Sequence, residues 1–266
     1  MKKIDVRGYR FSYVDEGHGN AVVFVHGSAL DLRYWNDVVG ELSRSFRCIA
    51  LSRRHHWPVP PNVVPSTYSA IEQTEDVVSF LEALQLGQVH LVGHSYGGYL
   101  CVRIAAQRPD LLKSLTLVEP GGKIAGMETA RSLAEFQQEA LELIENGDNR
   151  DGVAAYLNSV CGEGEWQKSP VELQQISLAN VDSVQLQMQD KSRPPLTEDL
   201  LAQIECPTLV MVGTRSPSPF PETAKRCAEL IDDCKLEIVQ DASHLINVDK
   251  FDAFIGVLNR FFSTRF

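Results

Sequence analysis

The stretch Gly93-His94-Ser95-Tyr96-Gly97-Gly98 constrains this chain more than any other. It follows without a linker on the apolar run Val89–Val92. It leads into Tyr99–Gln107, which reads as helix and stops before Pro109. A strand and a helix must therefore meet at Ser95 through a very sharp turn. Glycines are needed on both sides because neighbouring chain segments approach too closely for a Cβ, and the serine at the apex is held in a strained backbone conformation. The helix behind it directs its N–H groups and positive end toward the hydroxyl. The pattern is G-x-S-x-G, in the strand-to-helix setting that gives it chemical meaning.

The rest of the chain supplies the matching scaffold. Ala21–Val25 is a continuous β-branched and aromatic run, as expected of a strand buried on both faces. Phe46–Leu51, Ser114–Val118, Thr208–Val212 and Lys235–Val239 read as further strands, and Ile4–Val14 as a hairpin or edge pair around Arg7-Gly8. Helices are expected over Arg33–Arg44 and over Ser69–Leu86. The second carries Glu72, Glu75 and Asp76 early, complementing the helix dipole, and has Gly87 as its C-cap. A last helix within Asp249–Phe262 aligns Phe251, Phe254, Val257, Leu258 and Phe261 on one stripe. Strands alternating with helices predict an α/β fold: a mostly parallel sheet with helices on both faces.

Residues 121–204 break this rhythm. They are richer in Gln, Glu and Asn and contain no convincing buried strand. They read as three or four helices, such as Glu128–Asn146, Gly152–Val160 and Pro170–Leu178. The expected organisation is a core of residues 1–120 and 205–266, with 121–204 inserted as a helical cap over the carboxyl edge of the sheet.

Composition narrows the functional classes. A chain of 266 residues with 44% hydrophobic and 23% charged residues can build a substantial core without metal or disulfide staples. Its net charge of −10 disfavours nucleic-acid binding, which calls for a basic face. The apolar runs are far shorter than the ~20 residues of a membrane helix. Met1-Lys2-Lys3 resembles the start of a signal peptide, but no apolar stretch follows. None of the six cysteines forms a C-x-x-C pair. A cytoplasmic protein with a small-molecule substrate, and no nucleic-acid or membrane partner, is expected.

A serine hydroxyl is a poor nucleophile until a base removes its proton. Of the seven histidines only His244, in Asp241-Ala242-Ser243-His244, lies late in the chain, after the last strand and before the last helix. It is the candidate base. An oxyanion hole needs two aimed N–H groups. Tyr96, after the nucleophile, offers one. The loop His26-Gly27-Ser28-Ala29 offers the other, at Ser28 or at neighbouring Gly27. His26 and His94 are read as bracing these loops.

The segments HGSALDLRYW, GHSYGGYL and DASHLINVD, with the inserted helical region, resemble the α/β-hydrolase superfamily over nearly the whole chain. The resemblance implies an eight-stranded, mostly parallel sheet, a helical cap, and a Ser–His–acid triad working without cofactor or metal. One feature departs from the common pattern. Most members carry an Asp after the strand that here is Thr208–Val212, yet Gly213–Pro219 holds no carboxylate. Other members place the acid after the preceding strand, where Glu119 stands in Leu117-Val118-Glu119-Pro120. Glu119 is the favoured acid, with Glu222 and Asp241 as the other carboxylates.

His55-His56 has no third ligand at recognisable spacing, so a metal is not expected. Arg53-Arg54 either braces loops or meets a substrate carboxylate or phosphate. Trp57, Trp166 and Phe220 are candidate pocket walls, suited to a hydrophobic acyl or aryl group. The expected activity is hydrolysis of a carboxylic ester or lactone through Ser95. The alternatives are the same triad applied to C–C bond hydrolysis or to elimination or cyclisation, and a binding module that has lost its chemistry.

Overall fold

A computed structural model describes residues 1–59, 68–129, 133–190 and 193–265. Eight strands form one sheet: β1 (Lys2–Val6), β2 (Tyr9–Glu16), β3 (Ala21–Val25), β4 (Arg47–Leu51), β5 (Val89–His94), β6 (Leu112–Val118), β7 (Thr208–Gly213) and β8 (Cys234–Val239). Their order is β1-β2-β4-β3-β5-β6-β7-β8. The hairpin β1–β2 and the pair β2–β4 are antiparallel, and every later pairing is parallel. The two-residue connection Arg7-Gly8 closes the hairpin.

The register explains why the central strands are so apolar. β3, β5 and β7 are buried along their whole length, so both faces of each strand must shed water. On β3, Val22 and Phe24 enter one apolar cluster while Val23 and Val25 enter the other, one on each side of the sheet. This period of two follows from the strand's alternating Cβ directions. In the first cluster Trp35 is fully buried, with its ring 5.1 Å from that of Phe24 and 6.4 Å from that of Phe254.

The helices close both faces. A short 3-10 turn (Leu32–Trp35) precedes α1 (Asn36–Leu42), so the helix expected over Arg33–Arg44 is split. Asp31 caps the turn by accepting from the Arg33 N–H. Helix α2 (Ala70–Leu84) has Ser69 as its N-cap, and its carbonyl end stops at Gln85, the residue in the left-handed conformation (φ 51°). Gly87, expected as the cap, lies in the turn beyond. Helix α3 (Tyr96–Gln107) begins immediately after β5, three residues earlier than its apolar spacing suggests.

Between β6 and β7, the described residues form α4 (Leu133–Glu145), α5 (Asn149–Cys161), α6 (Glu165–Lys168), α7 (Val171–Leu178), α8 (Val181–Gln189) and α9 (Glu198–Ala202). The short α6, α8 and α9 go beyond the helices read from the sequence. Part of the expected Glu128–Asn146 helix, residues 130–132, lies outside the described residues. The chain then runs through α10 (Phe220–Leu230), α11 (Ile246–Asp249) and α12 (Phe251–Arg265). Among the described residues, no helix is long and apolar enough to cross a membrane.

Because β3, β5, β6 and β7 are parallel neighbours, the loops leaving their carboxyl ends converge. In parallel α/β sheets this edge is where ligands bind. Val25 pairs with Gly93, His94 with Val118, and Val118 with Met211. The loops beginning at His26, Ser95, Glu119 and Thr214 therefore stand side by side.

Candidate active site

Ser95 sits at φ 52°, ψ −117°, a conformation that costs a non-glycine residue energy. The surrounding bonds hold it there. Its N–H donates to the Val118 carbonyl at 2.9 Å, and its carbonyl accepts from the N–H groups of Tyr99 at 3.0 Å and Gly121 at 2.9 Å. The flanking glycines are a packing requirement. A Cβ on Gly97 would lie 2.3 Å from the Val25 carbonyl oxygen, and one on Gly93 would lie 2.7 Å from the Gly97 carbonyl oxygen. The serine itself is only partly buried.

His244 follows β8 in a tight loop. The Asp249 carboxylate accepts from the Ser243 N–H at 2.7 Å, and His94 Nε2 donates to the His244 carbonyl at 2.9 Å. The Phe220 ring packs 3.8 Å from the imidazole, centroid to centroid. Burial alone lowers the affinity of His244 for a proton, so its resting form is the neutral ring.

Glu119 is the first residue after β6 and is fully buried. Its backbone is left-handed (φ 51°), and its N–H donates to the Met211 carbonyl at 2.9 Å. The carboxylate is turned toward the loop after β7. Oε1 accepts from the Gly213 N–H at 2.5 Å and from the Ser216 hydroxyl at 2.6 Å, while Oε2 faces His244 Nδ1 at 3.3 Å. Burial raises its pKa to about 8, a rise that the Ser216 and Gly213 bonds offset only in part. Three donors on one carboxylate fit the ionised form. The other two carboxylates stand elsewhere. Glu222 accepts from the Ser218 hydroxyl at 2.6 Å, and the Asp241 side chain is 82% exposed beside Lys250.

The loop after β3 lies directly against the nucleophile: a Cβ on Gly27 would be 3.0 Å from Ser95 Cβ. Among the described residues, neither the Ser28 N–H nor the Tyr96 N–H has a protein acceptor. His26 braces this loop as a neutral ring. Its Nδ1 donates to the Gly27 carbonyl at 2.8 Å, and its Nε2 accepts from the Arg53 N–H at 3.0 Å. Burial holds His26 and His94 far below the ordinary imidazole range.

The two arginines of the Arg53-Arg54 pair behave differently. Arg54 grips Asp76 through Nε at 2.6 Å and Nη2 at 2.8 Å, an ordinary brace. Arg53 is 1% exposed, and among the described residues its guanidinium meets only neutral acceptors: the His26 and Gly27 carbonyls, Gln73 and Tyr68.

Of the three aromatic residues singled out as pocket walls, Phe220 stands on the His244 ring. Trp57 lies under the Arg33 guanidinium at 3.8 Å, and Trp166 is buried with Arg150 5.7 Å from its ring centroid. Among the described residues, no ring contact joins either tryptophan to Tyr96 or His244. His55 and His56 serve local packing: the His55 N–H donates to the Tyr9 hydroxyl, and His56 Nδ1 donates to the Leu30 carbonyl. No group of three or more His, Cys, Asp or Glu among the described residues is placed to hold a metal.

Three contributors were not legible in the sequence. Ser216 occupies the loop where most relatives carry an acid, and that displacement is the one signal that points to it. Gln187 and Arg193 come from the segment around the end of α8, where nothing in the local pattern marks them. The Ser28 hydroxyl donates to Gln187 Oε1 at 2.7 Å, and Arg193 Nη2 donates to the Gln187 carbonyl at 3.2 Å.

A strained serine at the end of a central strand, with a buried imidazole and carboxylate on loops at the same sheet edge, is the arrangement found in nucleophile-elbow hydrolases. The chain belongs to the alpha/beta hydrolase fold family, whose model matches residues 20–251. It is 24% identical over 243 residues to (E)-2-((N-methylformamido)methylene)succinate hydrolase of Acinetobacter baylyi, covering 89% of this chain and 88% of that protein. It is also 24% identical over 259 residues to N-formylmaleamate deformylase of Pseudomonas putida, covering 97% and 94%. A solved thermophilic esterase from Thermogutta terrifontis superposes with a TM-score of 0.80 at 25% identity, over 98% of this chain and 97% of that one.

Proposed function

We propose that this protein is a cofactor-independent serine hydrolase that cleaves a carboxylic ester or lactone through an acyl-enzyme on Ser95. His244 Nε2 takes the Ser95 proton as Oγ attacks the carbonyl carbon, and returns it to the leaving alkoxide as the C–O bond breaks. Water then attacks the acyl-enzyme with His244 again as base, releasing the acid and restoring the serine. Glu119 holds Nδ1–H, so that Nε2 carries the lone pair facing the serine, and it stabilises the imidazolium that forms. The Ser28 and Tyr96 N–H groups receive the oxyanion.

The observation that carries this reading is the 3.3 Å contact between His244 Nδ1 and Glu119 Oε2 at the sheet edge that also carries the strained Ser95. A buried carboxylate spent on an imidazole is costly to maintain without a proton to manage. A binding module that has lost its chemistry has no use for it. Residues 121–204 are read as the cap, with Phe220 and the tryptophans Trp57 and Trp166 as walls for a hydrophobic acyl or aryl group. All six cysteines are free, which supports a reducing, cytoplasmic setting. The names of the two curated relatives, a hydrolase and a deformylase, keep acyl transfer from a C–N bond open beside ester cleavage.

The test is hydrolysis of short and medium 4-nitrophenyl esters by the wild type and Ser95→Ala, with fluorophosphonate labelling read by mass spectrometry. Turnover abolished in Ser95→Ala, and label on Ser95, are expected. Label absent from Ser95 in the folded wild type overturns the reading.

A further inference from the structure

The buried Arg53 guanidinium has no carboxylate within ion-pair distance among the described residues, and neither does that of Arg193. Both cations lie over the same ring. Arg53 is 4.9 Å and Arg193 is 4.8 Å from the centroid of Tyr96, the residue that follows the nucleophile. Arg193 retains a buried Nε with no hydrogen-bond partner, and the Tyr96 hydroxyl also has none of ordinary geometry. Guanidinium groups stay charged across the working pH range of proteins, and a charge taken from water without a counter-ion is costly. Two such charges around one phenol repel each other as well.

The location is specific. Gln187 ties the Ser28 hydroxyl to its own side chain and Arg193 to its own carbonyl, so the cation just beyond α8 is linked through one residue to the Ser28 side chain while it lies over the ring of Tyr96. The chain as a whole carries −10, so attraction of an anion to this spot is local. Arg54, next in sequence to Arg53, has its own carboxylate in Asp76, so of these two neighbouring arginines one is paired and the other is not.

We infer that Arg193, with the charge of Arg53 behind it, binds a carboxylate on the substrate, so that the ester or lactone cleaved at Ser95 is one that also bears a free acid. Arg193 makes the contact through its unused N–H groups. Arg53, enclosed by its carbonyl and amide partners, is a positioning residue that adds field and holds the Ser28 loop. This deepens the hydrolase reading above and rests on it for the bond cleaved, though not for the anion site.

The test compares 4-nitrophenyl hemiesters of glutaric and adipic acid with the chain-matched pentanoate and hexanoate esters, after subtraction of spontaneous hydrolysis. The wild type is expected to favour the hemiesters in kcat/KM. Arg193→Gln is expected to shrink that ratio by about 10- to 100-fold, as loss of a charge-assisted hydrogen bond does, chiefly through KM, with partial rescue by Arg193→Lys. A second readout needs no turnover. Glutarate or adipate, but not its dimethyl ester, is expected to raise the Tm of the wild type and not of Arg193→Gln. A wild type that prefers the neutral esters, a variant that lowers both ester classes equally, or no dicarboxylate effect on Tm overturns the inference. Ser95 left unlabelled by fluorophosphonate, with dicarboxylate binding intact, overturns the hydrolase reading alone.

Discussion

Glu119 at the end of β6 reaches across the start of the β7 loop to face His244, with Oε2 3.3 Å from Nδ1, while its other oxygen is anchored by the Gly213 N–H and the Ser216 hydroxyl. The carboxylate and the hydroxyl that holds it thus come from the loops after two adjacent strands, with Ser216 in the β7 loop donating to Glu119 after β6.

Glu119→Gln is therefore expected to lower kcat by ~10³-fold or more. The amide oxygen can still accept from Gly213 and Ser216, which leaves its NH2 facing Nδ1 and favours the wrong imidazole tautomer. Glu222→Gln is expected to keep kcat within about threefold of wild type, because its carboxylate accepts from the Ser218 hydroxyl and does not face His244. Steady-state kinetics on one ester decides between them. The reverse pattern would transfer the acid role to Glu222.

The acid limb of kcat/KM follows from the state of His244. Burial lowers its proton affinity, so the neutral ring persists as pH falls past the ordinary imidazole value of ~6.5. The expected profile keeps half-maximal activity to a pH clearly below that value. An acid-limb midpoint at or above the ordinary value would show that the ring is solvated or more strongly charge-stabilised than its burial implies.

Stability should also fall on acidification. His26, His56, His90 and His94 are buried and hold protons less readily folded than unfolded, with His90 lowered to about 4. Their contribution is complete above the unfolded value of ~6.5 and is lost as pH falls from there toward the folded values. Glu119 works in the opposite sense, because burial raises it, but it is one group against these four and His244, which burial also lowers. Thermal melts are expected to show a Tm lower by ~5 °C or more at pH 5 than at pH 7. A flat profile would contradict this.

Gly97→Ala tests the elbow as packing. The added methyl would sit 2.3 Å from the Val25 carbonyl oxygen and 2.6 Å from that of His26. Both are backbone atoms, one from the last residue of β3 and the other from the first of the loop that carries Ser28, so relief has to come from moving β3 or α3. The expected cost is ~2 kcal/mol or more, visible as a lower denaturation midpoint together with lost activity. Ordinary stability with intact turnover would mean the turn has room that the backbone distances deny.

The sequence by itself determined the strands, their alternation with helices, and the position of Ser95. Each rests on local physics: continuous β-branched runs for strands buried on both faces, and small residues where chain segments collide. It also determined that His244 is the late histidine and that Glu119 is a carboxylate in an apolar run, which is a costly place for one without a partner. Local pattern was less informative where geometry is set by neighbours distant in sequence. The cap of α2 fell to Gln85, although Gly87 two residues on is also left-handed and bears no side chain to oppose it. Tertiary structure alone decided that Glu119, rather than Glu222 or Asp241, faces His244, since that depends on the register of β6 against β7 and on Ser216, 97 residues away. It alone decided that Arg54 finds Asp76 while Arg53 and Arg193 both lie over Tyr96 with no carboxylate partner among the described residues. A one-dimensional pattern records which residues are charged. Whether each charge is paired is settled only when the segments are folded against one another.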